Sequence, residues 1–349
     1  MSRMQTRATD DLSDRFKHGI YFHAVGGPLT HNAGCLIEGA LELGLPVKVC
    51  GPPITSRPVS MPLAGVDLAP YVAPLQKGMS AYIVDISHTN AYAPIEGIVG
   101  GRIAYLNQSD VAAFSRTPDG TQFFVTHDNR FVHKGGTRHP LAFGLSRGLI
   151  AATENRPAFA QRQRKVLRNF RPTLSQSVRA LLDISYVPAL EAKLPVDRTL
   201  LGPAAYLQSL LSSAVCLAYG GDFYSPIAGN AWFKQNDPTL AAIHEFQRFD
   251  PAAAVLRWDS FRLWESFAAG CVTVHMDFGK YGFHLPHMPV AWRHYVPIDL
   301  DNIAGSVEQL MDRAKEWPDI AERGRAWAVK HYAPKPVAEY VFAKMLEAP

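Results

Sequence analysis

The stretch His18–Cys50, HGIYFHAVGGPLTHNAGCLIEGALELGLPVKVC, decides the fold class. It opens with an apolar run, HGIYFHAV, that is typical of a buried strand, and continues through the glycine-containing loop GGPLTHN. Apolar residues then recur at helical spacing from Ala33 to Leu43, and Gly44 stands where a helix C-terminal cap belongs. The run PVKVC follows as a second strand. A strand, loop, helix and strand in this order predict a parallel β-sheet.

The same alternation continues along the rest of the chain. Apolar runs predict further strands at 79–86, 102–106, 122–127, 165–170, 214–219 and 271–276. Helical spacing predicts helices at 175–182, 206–213, 260–269, 303–316, 319–331 and 336–346. We therefore predict an α/β fold with two Rossmann-like, doubly wound parallel-sheet lobes. A ligand is expected at the carboxyl edges of their strands, in a cleft that the lobes face.

Length and composition agree with two globular lobes. A chain of 349 residues is long for one hydrophobic core, and 47% hydrophobic with 19% charged residues excludes a disordered or fibrous protein. We predict a polar tail over residues 1–17, an N-terminal lobe over 18–157 and a C-terminal lobe over 158–349. The last helix of the C-terminal lobe is expected to pack back on the N-terminal lobe.

Charge and targeting signals narrow the class of partner. A net charge of +4 suits anionic small ligands but is too weak to require nucleic acid, and no Lys/Arg block occurs. The polar start MSRMQTRATDD lacks the apolar core of a signal peptide, and no run approaches the roughly 20 apolar residues of a membrane span. Four cysteines without metal-like spacing are expected to be reduced and buried: Cys35, Cys50, Cys216 and Cys271. We expect a cytoplasmic protein without membrane insertion.

The segment Arg257–Asp277, RWDSFRLWESFAAGCVTVHMD, is the richest in chemistry. Asp259 or Ser260 precedes a helix as a cap, and the helix N-terminus attracts a diphosphate through its N–H groups and dipole. Arg262 adds a charged fork, and Glu265, one turn deeper, is placed to accept hydrogen bonds from two ribose hydroxyls. The alternative is a surface ion pair between these two side chains on a packed helix.

Two blocks in the second half resemble the donor lobe of exostosin-like glycosyltransferases. They are YLQSLLSSAVCLAYGG over 206–221 and SFRLWESFAAGCVTV over 260–274, and related patterns occur in the wider two-lobed GT-B class. The resemblance implies a nucleotide-sugar pocket in which Arg262 faces phosphate and Glu265 holds ribose or sugar hydroxyls. The two blocks are usually closer together, and the insertion 222–256 leaves the donor sugar open.

Other residues join this predicted donor site. Arg168 and Arg171 bracket the end of the first strand of the second lobe, where a basic side chain meets a phosphate in the cleft or stays in solvent. The loop Asp277–Pro286, DFGKYGFHLP, follows a strand end and also faces the donor under this interpretation. The full set of predicted donor-binding residues is Ser260, Phe261, Arg262, Glu265, Arg168, Arg171, Gly220 and Gly221.

The loop after the first strand is the predicted acceptor side. Gly26 and Gly27 match neither a dinucleotide fingerprint nor a P-loop, but the loop is similar to the first-lobe loop of GT-B enzymes, which lies at the cleft. Some inverting members carry a general-base histidine there, and histidine suits that role because its pKa lies near neutrality. The candidate bases are His31 first, followed by His23, Asp85 and Asp128. For each of them a cap or turn role is the alternative.

A metal is not expected. The single D-x-D pair, Asp299 and Asp301, precedes the helix at 303 and is interpreted as its capping region. GT-B enzymes usually replace the ion with the helix dipole and basic side chains. No strand carries the nicotinamide or flavin fingerprint, so the nucleotide sugar is the expected co-substrate and no cofactor is predicted.

These observations predict a glycosyltransferase of the hexosyl or a related class. It transfers a sugar from a nucleotide-sugar donor to an acceptor hydroxyl without a metal, and inversion at the anomeric carbon is favoured. The acceptor is a glycan, a protein or a small molecule, and nucleic acid is disfavoured. The alternative function is a nucleotide-sugar or sugar binding protein of the same fold that has lost turnover.

Overall fold

The structure is a computed structural model that describes residues 12–50, 68–89, 101–108, 121–132, 138–170, 177–224 and 254–347. These residues form two compact units. The first unit comprises the described residues within Met1–Thr126, Gly135–Ala151 and Lys330–Pro349. The second comprises those within His127–Lys134 and Ala152–Val329. The segment His127–Lys134 was not part of the predicted C-terminal lobe.

Strands and helices alternate along most of the described chain. The strands are β1 (Ile20–Ala24), β2 (Val47–Val49), β3 (Ala81–Asp85), β4 (Arg102–Asn107), β5 (Gln122–Val125), β6 (Arg138–Pro140), β7 (Gln163–Leu167), β8 (Val196–Asp197), β9 (Ser213–Leu217), β10 (Asp222–Tyr224), β11 (Ala254–Leu256), β12 (Val272–Met276) and β13 (Val296–Ile298). The helices are α1 (His31–Glu42), α2 (Arg147–Ala152), α3 (Ser177–Ile184), α4 (Tyr186–Glu191), α5 (Pro203–Ser212), α6 (Phe261–Ala269), α7 (Ile303–Asp312), α8 (Trp317–Tyr332) and α9 (Pro334–Leu346). Every strand and helix predicted above is found close to its expected place.

The first unit is built on a parallel sheet. Its strands lie in the order β2-β1-β3-β4-β5-β6, and each neighbouring pair is parallel. The strand order reverses beside β1, which pairs with β2 on one side and with β3 on the other. The loops that follow β1 and β3 therefore meet at the carboxyl edge, the point where open α/β sheets bind ligands.

The C-terminal helix α9 completes the first unit by lying against α1. The two helices approach so closely at Gly39 that a Cβ there would stand 2.2 Å from the Pro334 carbonyl oxygen and 2.6 Å from Cβ of Ala338. The ring centroids of Phe16 and Phe342, the latter on α9, lie 5.2 Å apart. The end of the chain is thus part of the core of the first unit.

The second unit has its own parallel sheet, in the order β13-β12-β9-β7-β8. Here the order reverses beside β7, which lies between β8 and β9. A separate antiparallel pair, β10 with β11, leads into α6. The predicted α/β class with two parallel sheets is confirmed, and the second switch point lies at the carboxyl ends of β7 and β9.

Candidate functional site

The start of α6 lies at the switch point of the second sheet. Ser260 occupies the N-cap position with extended backbone angles, but its hydroxyl makes no capping hydrogen bond. It donates instead to the carbonyl of Ala218, just beyond β9, at 3.3 Å. The Ser260 hydroxyl therefore does not cap the first turn of α6, and uncapped N–H groups at a helix start are the groups that bind anions in other proteins.

Arg262 ties the helix start to the end of β7. Its Nε donates to the carbonyl of Asn169 at 2.8 Å, and its guanidinium lies 4.2 Å from the centroid of the Tyr206 ring. Its Nη1 donates to Oε2 of Glu265 at 2.6 Å. About a quarter of the side chain, 26%, remains exposed. The cation is therefore fixed in orientation at the carboxyl edge of the sheet, with part of its surface open to a ligand.

Glu265 is buried, with only 1% of its side chain exposed. Its Oε2 accepts hydrogen bonds from the Tyr206 hydroxyl at 2.6 Å and from Arg262. Its Oε1 is buried and has no hydrogen-bond partner within the described part of the chain. A buried acceptor left unsatisfied costs about 1–3 kcal/mol, so this oxygen is suited to receive a ligand hydroxyl. The ion pair of the alternative interpretation exists, but it is not a surface pair.

The two glycines before β10 have a local structural reason. Gly221 has a φ of +119°, which only glycine adopts easily, and a Cβ there would stand 2.8 Å from the Leu256 carbonyl oxygen. Gly220 lies beside the Arg179 guanidinium and the Arg257 carbonyl. They allow the chain to turn from β9 into the β10–β11 pair directly behind the start of α6.

Arg168 faces the interior of the second unit. It is buried, its Nε donates to Asp183 at 3.0 Å, and its guanidinium lies 4.1 Å from the centroid of the Phe170 ring. The guanidinium makes a second bond to Asp183 and a third to the Phe170 carbonyl. These partners leave the side chain little capacity for a phosphate. Arg171, its predicted companion, lies outside the described residues.

In the first unit, Asp85 anchors the glycine loop. The carboxylate is buried at the end of β3, and its Oδ2 accepts from the backbone N–H and the hydroxyl of Thr30, at 2.7 and 2.6 Å. Its Oδ1 accepts from the N–H and hydroxyl of Ser87, at 3.1 and 2.5 Å. Gly26, at a φ of +76°, and Gly27 pack against the segment that follows β3. Asp85 therefore holds the loops after β1 and β3 together.

His31 is the first residue of α1 and is buried. Burial lowers the pKa of the His31 imidazole to about 4, although hydrogen bonds with the backbone of Phe143 and Gly144 oppose that shift. Its Nε2 lies 3.3 Å from Sγ of Cys35. Burial also lowers the pKa of His23, on β1. A buried imidazole with so low a pKa is neutral at physiological pH and is a weak base.

Two turns after His31 on α1, Glu38 is fully buried, and burial raises its pKa to about 7. Its Oε2 accepts from the backbone N–H of Arg147 at 2.9 Å. The pKa of Glu38 in the folded protein exceeds its unfolded value of 4.5, so folding favours the protonated carboxyl. The stability that depends on this proton is fully present below pH 4.5 and is lost as the pH rises through 7.

We therefore expect Glu38→Gln to remove this loss. The stability difference between variant and wild type should shift in favour of the variant by about 2–3 kcal/mol between pH 5 and pH 8. Urea unfolding at both pH values measures it. A difference that stays constant over this range would contradict the raised pKa.

The last predicted base, Asp128, belongs to the segment that joins the second unit. Its Oδ2 accepts from Nδ1 of His284 at 2.7 Å, and its side chain is only 9% exposed. The sequence singled out the loop Asp277–Pro286 but not this histidine within it. Asn169 and Tyr206, which hold Arg262, were also missed, since neither the strand end nor the helix pattern distinguishes them.

No protein-family model matches this chain, and no curated protein matches it in sequence. Solved structures do match. An α-glucosyltransferase in complex with UDP aligns over 94% of this chain and 99% of its own, with a TM-score of 0.54 and 8% identity. The glycosyltransferase AviGT4, involved in avilamycin A biosynthesis, aligns over 94% and 97% with a TM-score of 0.52 and 11% identity. An α-glucosyltransferase in complex with UDP-glucose and DNA containing an abasic site aligns over 94% of this chain and 98% of its own, with a TM-score of 0.51 and 9% identity.

The chain has the GT-B glycosyltransferase fold. Identities this low establish the fold alone, so the resemblance to exostosin-like enzymes in particular stays a prediction. The matches extend over nearly the whole length of both chains, and the GT-B fold thus accounts for both parallel sheets. Within the described residues of this GT-B chain, every helix is too short or too polar to cross a membrane.

The D-x-D pair of this GT-B chain is engaged by a lysine. Lys280 forms an ion pair with Asp301 at 2.5 Å and another with Asp299. Asn302, not either aspartate, caps α7 by accepting from the N–H of Gly305. In the described residues no three His, Cys, Asp or Glu side chains are grouped as metal ligands would be.

Proposed function

We propose that this protein is a glycosyltransferase that takes its sugar from a nucleotide-sugar donor, with a UDP-sugar as the first candidate. The proposal rests mainly on the start of α6 at the switch point of the second sheet of a GT-B fold. There a helix end without a capping hydroxyl lies beside Arg262 and beside Oε1 of Glu265, which has no hydrogen-bond partner in the described part of the chain. Two of the structural neighbours are complexes with UDP or UDP-glucose, which supports a uridine donor.

Each part of this site has a role in the proposed reaction. The first-turn N–H groups of α6 and the helix dipole bind the diphosphate, and Arg262 adds a fixed positive charge. Oε1 of Glu265 accepts a hydrogen bond from a ribose or sugar hydroxyl. As the bond between the anomeric carbon and the phosphate oxygen breaks, negative charge grows on the leaving diphosphate, and these preorganised groups stabilise it without a metal.

The proposed transfer also needs a base and an acceptor. A direct displacement inverts the anomeric carbon and needs a base for the acceptor hydroxyl. The predicted candidates were His31, His23, Asp85 and Asp128. Asp85 is occupied by four hydrogen bonds and His31 is a buried weak base, so neither environment favours that role. The acceptor itself is proposed to be a glycan, a protein or a small molecule. Since one structural neighbour was solved with DNA, a DNA acceptor belongs in the tests.

A donor panel tests the proposal. Thermal unfolding of the full chain with UDP-, GDP-, ADP- and dTDP-sugars should show a concentration-dependent increase in melting temperature for one nucleotide, expected to be uridine. A ligand at 100 times its Kd stabilises by about 2.7 kcal/mol, well above the noise of such a measurement. The same donor should release its nucleotide when acceptor extracts are added, and EDTA should leave that release unchanged.

Two outcomes would change the conclusion. If none of the four nucleotide sugars alters the melting temperature, the transferase proposal is wrong. If one of them binds but no nucleotide is released with any acceptor extract, the protein is a binding protein of the same fold.

A further inference from the structure

Asp128 and His284 form a carboxylate–imidazole pair in the second unit, 156 residues apart in sequence. A carboxylate only accepts hydrogen bonds, so Nδ1 of His284 carries the proton in this contact. In the neutral imidazole the other nitrogen, Nε2, then has a free lone pair. Asp128 is nearly buried, whereas 39% of the His284 side chain is exposed. This arrangement presents a basic nitrogen of fixed tautomer to the surface.

The pair is attached to the start of α6. The backbone N–H of Asp259, the residue before the N-cap, donates to Nδ1 of His127 at 3.2 Å. The indole N–H of Trp258 donates to the Asp128 carbonyl at 3.0 Å. His127 and Asp128 therefore lie directly beside the helix end that is proposed to bind the diphosphate.

The backbone is strained at this same place. His127 has a φ of +60° and Arg257 a φ of +55°, which are unfavourable for residues with a side chain. The two residues flank the contact between Trp258 and Asp128. Strain of this kind costs about 1–3 kcal/mol per residue and persists where surrounding structure enforces it, as at ligand and active sites.

Hydrogen bonds fix the backbone around both members of the pair. His284 N–H donates to the Asp128 carbonyl at 3.0 Å, and Asn129 pairs with Phe283 in an antiparallel bridge. The buried Asn129 side chain donates to the carbonyls of Val255 and Tyr281, both at 2.9 Å. These hydrogen bonds fix the backbone around Asp128 and His284, so the two side chains keep their relative position. A catalytic pair requires such support from the residues around it.

We propose that His284 is the general base of the transfer reaction and that Asp128 is its positioning residue, an inference that rests on the proposed function. Nε2 of His284 takes the proton of the acceptor hydroxyl as that oxygen forms its bond to the anomeric carbon. The bond from this carbon to the phosphate oxygen breaks, and its electron pair leaves with the nucleotide. Asp128 stabilises the imidazolium until the proton passes to solvent.

The variants His284→Ala, His284→Gln and Asp128→Asn test this inference in the full chain, with UDP-glucose as the donor and water or added sugars as acceptors. UDP release measures turnover, and thermal shift with UDP measures donor binding. His284→Ala should retain UDP binding within about twofold and lose turnover by about 100-fold or more, the usual contribution of a general base. Added imidazole should raise the turnover rate of His284→Ala at least tenfold. Asp128→Asn should lower kcat without weakening UDP binding, because the amide no longer selects the tautomer with its proton on Nδ1.

His31→Ala is the matched comparison, since His31 is the base that the sequence predicted. If His284→Ala keeps its turnover within threefold of wild type, or if imidazole has no effect on a folded but inactive His284→Ala, the inference is wrong. If His284→Ala unfolds, the same criteria apply to His284→Gln, which keeps a hydrogen-bonding side chain. A wild-type protein that binds none of the four nucleotide sugars of the donor panel would instead overturn the proposed function, and the inference with it.

Discussion

In the Glu265→Gln variant, UDP is expected to bind about 10–100-fold more weakly than in the wild-type protein, since a hydrogen bond to a charged group contributes about 1.5–3 kcal/mol. The carboxylate Oε1 has no hydrogen-bond partner among the residues that the structure describes, and it is the acceptor that the ribose would use. Glutamine has a single acceptor oxygen, which Tyr206 and Arg262 already engage at the Oε2 position. Its NH2 group then takes the place of the Oε1 acceptor. Isothermal titration with UDP measures the change.

A second buried glutamate supplies the control for this variant. Glu38 is also on a helix, fully buried, and has one oxygen without a partner among the described residues, but it belongs to the first unit. Glu38→Gln should therefore alter stability and leave UDP affinity unchanged. Equal losses of affinity in both variants would mean that Glu265 acts through global stability. Unfolding of Glu265→Gln without ligand would favour a purely structural Arg262–Glu265 pair.

The Gly39→Ala variant is expected to lose about 3 kcal/mol of stability, at the upper end of what overpacking costs. Its new Cβ would stand 2.2 Å from the Pro334 carbonyl oxygen, which is backbone and unable to rotate away. Alanine gains about 1 kcal/mol of helix propensity over glycine, so the observed loss is what remains after that gain. Urea unfolding, monitored by circular dichroism, measures the difference.

Gly202 provides the matched control because a Cβ there meets nothing within 4 Å. Gly202 is the N-cap residue of α5, so Gly202→Ala should change stability by less than about 1 kcal/mol, the scale of an N-cap substitution. If Gly39→Ala is as stable as Gly202→Ala, α9 does not pack on α1 as the structure has it, and the assignment of the chain end to the first unit is wrong.

The sequence predicted the fold because its local patterns agree with the final topology. The apolar strand, glycine loop and periodic helix of His18–Cys50 become β1 and α1, and Gly44 has the positive φ expected of a residue after a helix. The same agreement holds for α6 and β12 on either side of Gly270. Hydrophobic periodicity and helix-capping residues are local properties of the chain, so a single sequence is enough to detect them.

Features that depend on distant residues were not predictable. The strands β10 and β11 have three residues each and lie far apart in sequence, so no hairpin signal joins them. The segment His127–Lys134 belongs to the second unit through tertiary contacts, and nothing in its amino-acid composition indicates this. His284 meets Asp128 across 156 residues and lies in a loop without periodicity. The full burial of Glu265 depends on Tyr206, which belongs to another helix.

The donor site is best tested by a structure of the full chain with bound UDP. We expect the diphosphate at the first turn of α6, close to Arg262, with a ribose hydroxyl within hydrogen-bond distance of Oε1 of Glu265. UDP bound away from this helix end, with Arg262 and Glu265 unchanged and unliganded, would contradict it.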